Sequence, residues 1–272
     1  MKQRKPRRER SPWKYFQGKK AVLIVYTLLR FLVLTTLILQ LINENYQNAF
    51  LCLLTLVLFI MPSALEKKLN LQLPTALEIV LLFFIFAAEI LGEIQEFYLL
   101  VPHWDTWLHT INGFLFAAVG FCMVDLLNQS ERVSLHLSPV YMAVAAFGFS
   151  MTIGVLWEFF EWGMDCFFGL DMQKDTVVHS ISSVTLNPAG HNDPNLISGI
   201  TDVILVLSDG SQVNLGLGGY LDIGLMDTMK DLLVNLIGAV VFCVFGYFYV
   251  KTRGKGRLAS MFIPKVVKRP KE

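Results

Sequence analysis

The sequence predicts an all-α polytopic membrane protein of about six transmembrane helices with a small extracytoplasmic β-hairpin insertion. Three observations carry that class. The chain of 272 residues is 54% hydrophobic and only 17% charged, too apolar for a soluble domain of this size. Its apolar residues fall into runs long enough to cross a bilayer, and Lys and Arg appear on alternate sides of those runs.

The predicted spans are Ala21–Ile42, Ala49–Leu65, Pro74–Tyr98, Asp105–Leu127, Pro139–Phe168 and Asp227–Tyr249. The first is too long for a signal-peptide core and lacks a small-residue cleavage pattern, so it stays as an anchor. Residues 1–20 form a basic segment with Lys2, Arg4, Lys5, Arg7, Arg8, Arg10, Lys14, Lys19 and Lys20, and residues 251–272 form a basic tail. Lys67 and Lys68 follow the second span and Arg132 the fourth, while Asn43–Asn48 and Tyr98–Trp104 carry no Lys or Arg. This alternation predicts a bacterial inner-membrane protein with both termini cytoplasmic. The organisation expected is helices one to five with the start of an external loop over 21–181, an insertion over 182–219, the sixth helix over 220–250, and the tail. Inside the insertion, Thr201–Leu207 and Gln212–Leu217 flank Ser208-Asp209-Gly210-Ser211, which reads as a hairpin.

A formal net charge of +1 hides two separated populations, basic ends and acidic spans. Beside a long apolar span a basic terminus reads as a topology signal, so nucleic acid is excluded as the partner and the lipid bilayer takes its place. Cys52, Cys122, Cys166 and Cys243 stand singly and form neither a disulfide framework nor a thiolate site.

The acids recur at helical spacing. Glu89, Glu93 and Glu96 stand at i, i+4, i+7, and Asp105, His109 and Asn112 repeat that pattern. Glu158, Glu161 and Asp165 follow at i, i+3, i+7, and Asp227, Asp231 and Asn235 at i, i+4, i+8. Each set shares one helix face. At 1.5 Å per residue Glu89 lies about 22 Å along its span and Glu158 about 28 Å along its own, so the four faces reach one level in the outer third of the bilayer. Asp105 and Asp227 also suit the N-caps of their helices.

A carboxylate at bilayer depth costs about 2.5–3.5 kcal/mol. Two ionised carboxylates 4 Å apart repel by about 4 kcal/mol at an effective dielectric near 20. The nearest cations, Lys174 and Lys230, are few. Either some carboxyls keep a proton, or a cation is bound, or hydrogen bonds absorb the polar groups. The favoured reading is a divalent metal held by Glu89, Glu93, Asp105, His109, Glu158, Glu161, Asp165, Asp227 and Asp231. An oxygen-rich set with one imidazole suits Mg²⁺, Mn²⁺ or Ca²⁺ better than Zn²⁺. No GxSxG, P-loop or HExxH motif offers another chemistry.

Three stretches, Trp104-Asp105-Thr106-Trp107-Leu108-His109 with Asn112-Gly113, Trp157-Glu158-Phe159-Phe160-Glu161 with Asp165, and Asp227-Thr228-Met229-Lys230-Asp231 with Asn235 and Gly238-Ala239, resemble the YjdF-like family of bacterial inner-membrane proteins. The likeness covers Pro74 to Tyr249. It implies a multi-pass bacterial membrane protein and carries over no activity.

The leading functional expectation is a metal-dependent hydrolase or transferase of lipid-linked phosphate, with His109 and Glu161 handling protons. One alternative is a divalent-cation or proton-coupled transporter. The other is a scaffold or assembly protein whose buried polar groups lock helices together.

Overall fold

The computed structural model describes residues 19–69, 71–128, 137–252, 261–263 and 265–266. The basic segment up to Gly18, the connection that carries Arg132 and most of the basic tail lie outside the described residues. Within them, six helices are long and apolar enough to cross a membrane: Lys20–Ile42, Tyr46–Lys68, Thr75–Ile94, Trp104–Asn128, Pro139–Phe168 and Leu225–Lys251. The six expected spans are therefore present, with small antiparallel strand pairs beside them.

The chain divides into two compact units, Met1–Ile153 with Val234–Glu272, and Gly154–Leu233. In the first, α1 (Lys20–Ile42) and α2 (Tyr46–Leu58) are joined by a three-residue turn. Glu44 is left-handed there at φ +57°, and Asn45 caps α2 by accepting from Asn48 N–H at 3.1 Å. A connection this short makes the two helices neighbours. The second span is broken after α2, and α3 (Met61–Leu69) restarts with Pro62 in its first turn. Proline has no N–H to donate and disfavours helix in the residue ahead of it, which accounts for the break.

Lys19, directly ahead of α1, makes 2.7 Å ion pairs with both Glu66 and Glu78, and all three side chains are largely buried. Glu66 also accepts from Leu73 N–H at 2.5 Å. One lysine therefore ties the starts of α1 and α4 (Thr75–Phe86) to α3. Beside them β1 (Leu71–Gln72) pairs antiparallel with β8 (Lys265–Val266).

After α4 the third span does not continue as an α-helix. Ala87–Ile94 winds as a π-helix, Glu96 turns left-handed at φ +57°, and the four-residue α5 (Phe97–Leu100) follows. The ring of Tyr98 lies where any side chain on Gly92 would stand. His103, at φ +63°, reverses the chain into α6 (Trp104–Asn128).

Glycines set the packing of α6 against α8 (Leu225–Lys251). A Cβ on Gly113 would overlap the carbonyl oxygen of Asn235, and one on Gly238 that of Thr110. Backbones this close are characteristic of membrane helix pairs, where small residues replace the hydrophobic drive. Ser150, on α7 (Pro139–Phe168), donates to the Gly113 carbonyl at 2.7 Å. Around this contact lies a core of Leu77, Leu115, Phe121, Met142, Ala146 and Phe242, with Phe114 and Phe242 edge to face at 5.2 Å.

The second unit holds the end of α7, the start of α8 and the connection between them. Three two-stranded antiparallel sheets occur there: β2 (Val177–Val178) with β7 (Tyr220–Leu221), β3 (Ser180–Ser183) with β4 (Asn195–Ser198), and β5 (Ile204–Val206) with β6 (Gln212–Asn214). The last is the expected hairpin. Gly210 takes φ +84° at its tip, and Asp209 accepts from Ser211 N–H at 2.9 Å and from its hydroxyl at 2.6 Å. Those donors hold the Asp209 carboxyl below its usual range.

Gly113→Ala and Gly238→Ala should each lower stability by about 1–3 kcal/mol, because the added methyl has only backbone to displace. Gly148→Ala, with nothing within 4 Å of the added carbon, should leave it unchanged. Thermal unfolding in detergent measures both.

Candidate metal centre

At the head of α6, Asp105 and His109 are one helical turn apart and touch, with His109 Nε2 3.4 Å from Asp105 Oδ1. His109 is buried and Asp105 half-buried. The second carboxylate oxygen of Asp105 is shielded from solvent and has no hydrogen-bond partner among the described residues, as is also true of Trp104 Nε1 and Thr106 Oγ1. Carboxylate oxygens in this condition are costly unless a proton or cation meets them. Asn112, on the same face, donates to Asn235 Oδ1 at 3.4 Å, and Asn235 Nδ2 contacts Met151 Sδ at 3.5 Å. The two asparagines thus join α6, α7 and α8 within the first unit.

The π-helix changes the expected geometry of the third span. Its bonds reach five residues rather than four, so i, i+4 residues no longer stack as on an α-helix. Glu89 is half-buried, Glu93 exposed, and Glu96 lies beyond the helix end in its left-handed conformation. The three glutamates do not form one continuous α-helical face.

In the second unit Glu158 and Glu161 are one turn apart on α7 and both buried. A carboxylate oxygen of each lies within 4.8 Å of the other. Trp157 Nε1 donates to Glu161 Oε1 at 2.8 Å, which fixes that carboxylate's orientation. Asp165 does different work. Its two oxygens accept from Met172 N–H at 2.6 Å and Gln173 N–H at 2.8 Å, folding the chain back after α7.

On α8, Asp231 is 1% exposed and Asp227 8%. Asp227 accepts from Lys174 N–H at 2.9 Å and lies 3.6 Å from Lys230 Nζ. It does not cap α8, because the helix begins two residues earlier, at Leu225. The cap is Asp222, which accepts from Met226 N–H at 2.8 Å, Gly224 N–H at 3.3 Å and Thr176 N–H at 2.8 Å. An aspartate three residues ahead of an apolar periodic run was its sequence signal. Gln173, bonded to the Thr228 hydroxyl, has no counterpart in the sequence analysis, and Trp157 stands there only as part of the stretch that resembles the family.

Asp105 and His109 in the first unit, and Glu158, Glu161 and Asp231 in the second, are half-buried or buried groups that could serve as metal ligands. The donor chemistry fits a hard divalent cation, being oxygen-rich with a single imidazole. A groove of about 500 Å³ opens beside Glu158 within the second unit, walled by Val155, Phe159, Trp162, Leu225 and Leu232.

Asp165→Ala should release the Met172 and Gln173 amides, read as faster hydrogen exchange confined to residues 169–176. Asp175 offers a pH test. Partial desolvation first, then Asp171, Asp222 and Asp165, raise its pKa, with Lys174 opposing them. A raised carboxyl pKa means the fold favours the protonated form, so stability falls as pH climbs from 3.8 through the raised value. Asp175→Asn should flatten that part of the pH-stability curve.

Residues 24–252 of the chain match the family described as "Predicted membrane protein (DUF2238)". No curated protein and no solved structure matches it. The matched span takes in the α6, α7 and α8 motifs that carry the likeness noted above, and the chain belongs to this family, the YjdF-like DUF2238 membrane proteins.

Proposed function

We propose that this protein holds a divalent cation, Mg²⁺, Mn²⁺ or Ca²⁺ rather than Zn²⁺, through Asp105, His109, Glu158, Glu161 and Asp231. It uses the cation to hydrolyse or transfer a lipid-linked phosphate. The observation that carries the reading is the shielded Asp105 Oδ2 beside His109, an oxygen that has no hydrogen-bond partner among the described residues. Asp227 stands one turn ahead of Asp231 and steadies the head of α8 through Lys174. Asp165 positions the chain after α7, and Glu89 and Glu93 contribute negative potential from the π-helix.

A bound divalent ion supplies Lewis-acid polarisation of a phosphoryl oxygen. The side chains supply the rest. Glu161, oriented by Trp157, accepts a proton from water as the water oxygen bonds to phosphorus and the bond from phosphorus to the lipid oxygen breaks. The proton then passes to that departing oxygen, giving a lipid alcohol and phosphate.

Transport of the cation is the second reading. The π-helix at Glu89 and Glu93 favours it, since π segments cluster at functional sites. Against it, Glu78 at the start of the same span is closed off by Lys19.

The proposed orientation places the protein in the bacterial inner membrane with both termini cytoplasmic and the α7–α8 connection outside. His191→Cys in a chain lacking Cys166 should be labelled by an impermeant maleimide in intact cells, and protection of that cysteine would invert the orientation.

Elemental analysis of purified, Mn²⁺-loaded protein should find stoichiometric metal in the wild type, and a large loss in Asp105→Asn and Glu158→Gln. If none of the three carries metal, the proposal fails. Where metal is bound, flux into proteoliposomes without lipid turnover selects transport.

A further inference from the structure

The groove beside Glu158 lies wholly within the second unit, and two of its walls belong to spanning helices: Val155, Glu158, Phe159 and Trp162 on α7, and Leu225, Thr228 and Leu232 on α8. Its volume of about 500 Å³ is that of a small-molecule site. Phe159, Trp162 and Leu225 are all more than half exposed. On helices that cross a membrane such side chains meet hydrocarbon, so the covering material is lipid.

The charge of the lining narrows the occupant. Glu158 and Asp222 line the groove, and among the described residues no Lys or Arg does. Asp222 is committed to three backbone amides of the connection and the head of α8, so its role there is structural. Glu158 is the charged group on the α7 wall, and it is also a proposed ligand of the cation. A hydrocarbon chain fits the apolar walls. A bare phosphate beside Glu158 would be repelled, and a phosphate sharing a divalent ion with Glu158 would be attracted. Trp162 is placed as an interfacial aromatic would be, in the last two turns of a spanning helix.

We infer that this groove is the chain-binding subsite for a lipid monophosphate, whose hydrocarbon lies along Val155, Phe159, Trp162 and Leu232 and whose phosphate reaches the cation held by Glu158. The inference rests on the metal reading above and adds the substrate's shape: a single chain entering sideways from the bilayer. Binding of the phosphate end is cation-dependent, and binding of the chain is not.

The test uses the full chain in detergent with two photoreactive probes, dodecyl phosphate and dodecanol, each with a diazirine in its chain. With Mn²⁺ present, dodecyl phosphate should label peptides containing Val155–Trp162 and Leu225–Leu232. Chelation should abolish that labelling and leave dodecanol labelling of the same peptides intact. Leu232→Trp, which fills the groove, should lose labelling by both probes while retaining the wild-type metal content. Val155→Trp provides the same block from the opposite wall if Leu232→Trp does not fold. Inorganic phosphate should compete poorly.

Unchanged labelling in a folded, filled variant overturns the groove as a chain site, and does so without touching the metal reading. Dodecyl phosphate labelling that survives chelation overturns the shared-ion contact. Displacement of dodecyl phosphate by inorganic phosphate at equal concentration overturns the lipid in favour of free phosphate. Absence of metal from the wild type defeats the metal reading by itself, and dodecanol labelling then reports on the groove alone.

Discussion

Compensation of carboxylates placed among apolar helices is the constraint on which the rest of this structure depends. A membrane span that carries an acid must supply a partner for it or lose insertion and stability. The protein meets this demand in distinct ways along its length. At the start of α4 a lysine answers two glutamates, because Lys19 reaches both Glu66 and Glu78. At the α7–α8 connection backbone amides answer aspartates, two for Asp165, three for Asp222 and one for Asp227. At the head of α6 the answer is incomplete. His109 meets one oxygen of Asp105, and the other has no hydrogen-bond partner among the described residues.

These solutions separate scaffold from site. Asp165 and Asp222 are acidic residues whose geometry is explained by folding, since they end one helix and begin the next. Asn112 and Asn235 are explained by helix packing, and the Gly113 and Gly238 contacts bring their backbones close enough to pair. Asp105, His109, Glu158 and Glu161 are the half-buried or buried groups that the proposed metal centre uses, and Trp157 orients one of them, Glu161.

Most of the architecture was legible in the sequence because hydropathy and length decide what crosses a bilayer. The six spans and the Asp209-Gly210 hairpin followed directly. Where local geometry departed from the α-helical period, the sequence was silent. Glu89, Glu93 and Glu96 have α-helical spacing, yet the chain winds as a π-helix through the first two and turns left-handed at the third. Strands of two to four residues, such as Val177–Val178 and the serine-rich Ser180–Ser183, are too short to show a period. Lys19 was counted as a topology signal, and its second role as a buried ion partner depended on the fold bringing Glu66 and Glu78 to it. Asp222 stands farther from the apolar run than Asp227, and its capping role depends on the folded connection that brings Thr176 N–H and Met226 N–H to one carboxylate. Of the candidate site, the residue types were legible, and which of the acids backbone amides hold was not.

The central claim is that one imidazole and several carboxylates hold a divalent ion. Pulsed electron paramagnetic resonance of the Mn²⁺-loaded protein tests it most directly. The account predicts coupling to a single imidazole nitrogen that disappears in His109→Gln while carboxylate coordination persists. A spectrum of fully hydrated Mn²⁺, or a nitrogen coupling unaffected by His109→Gln, would contradict it.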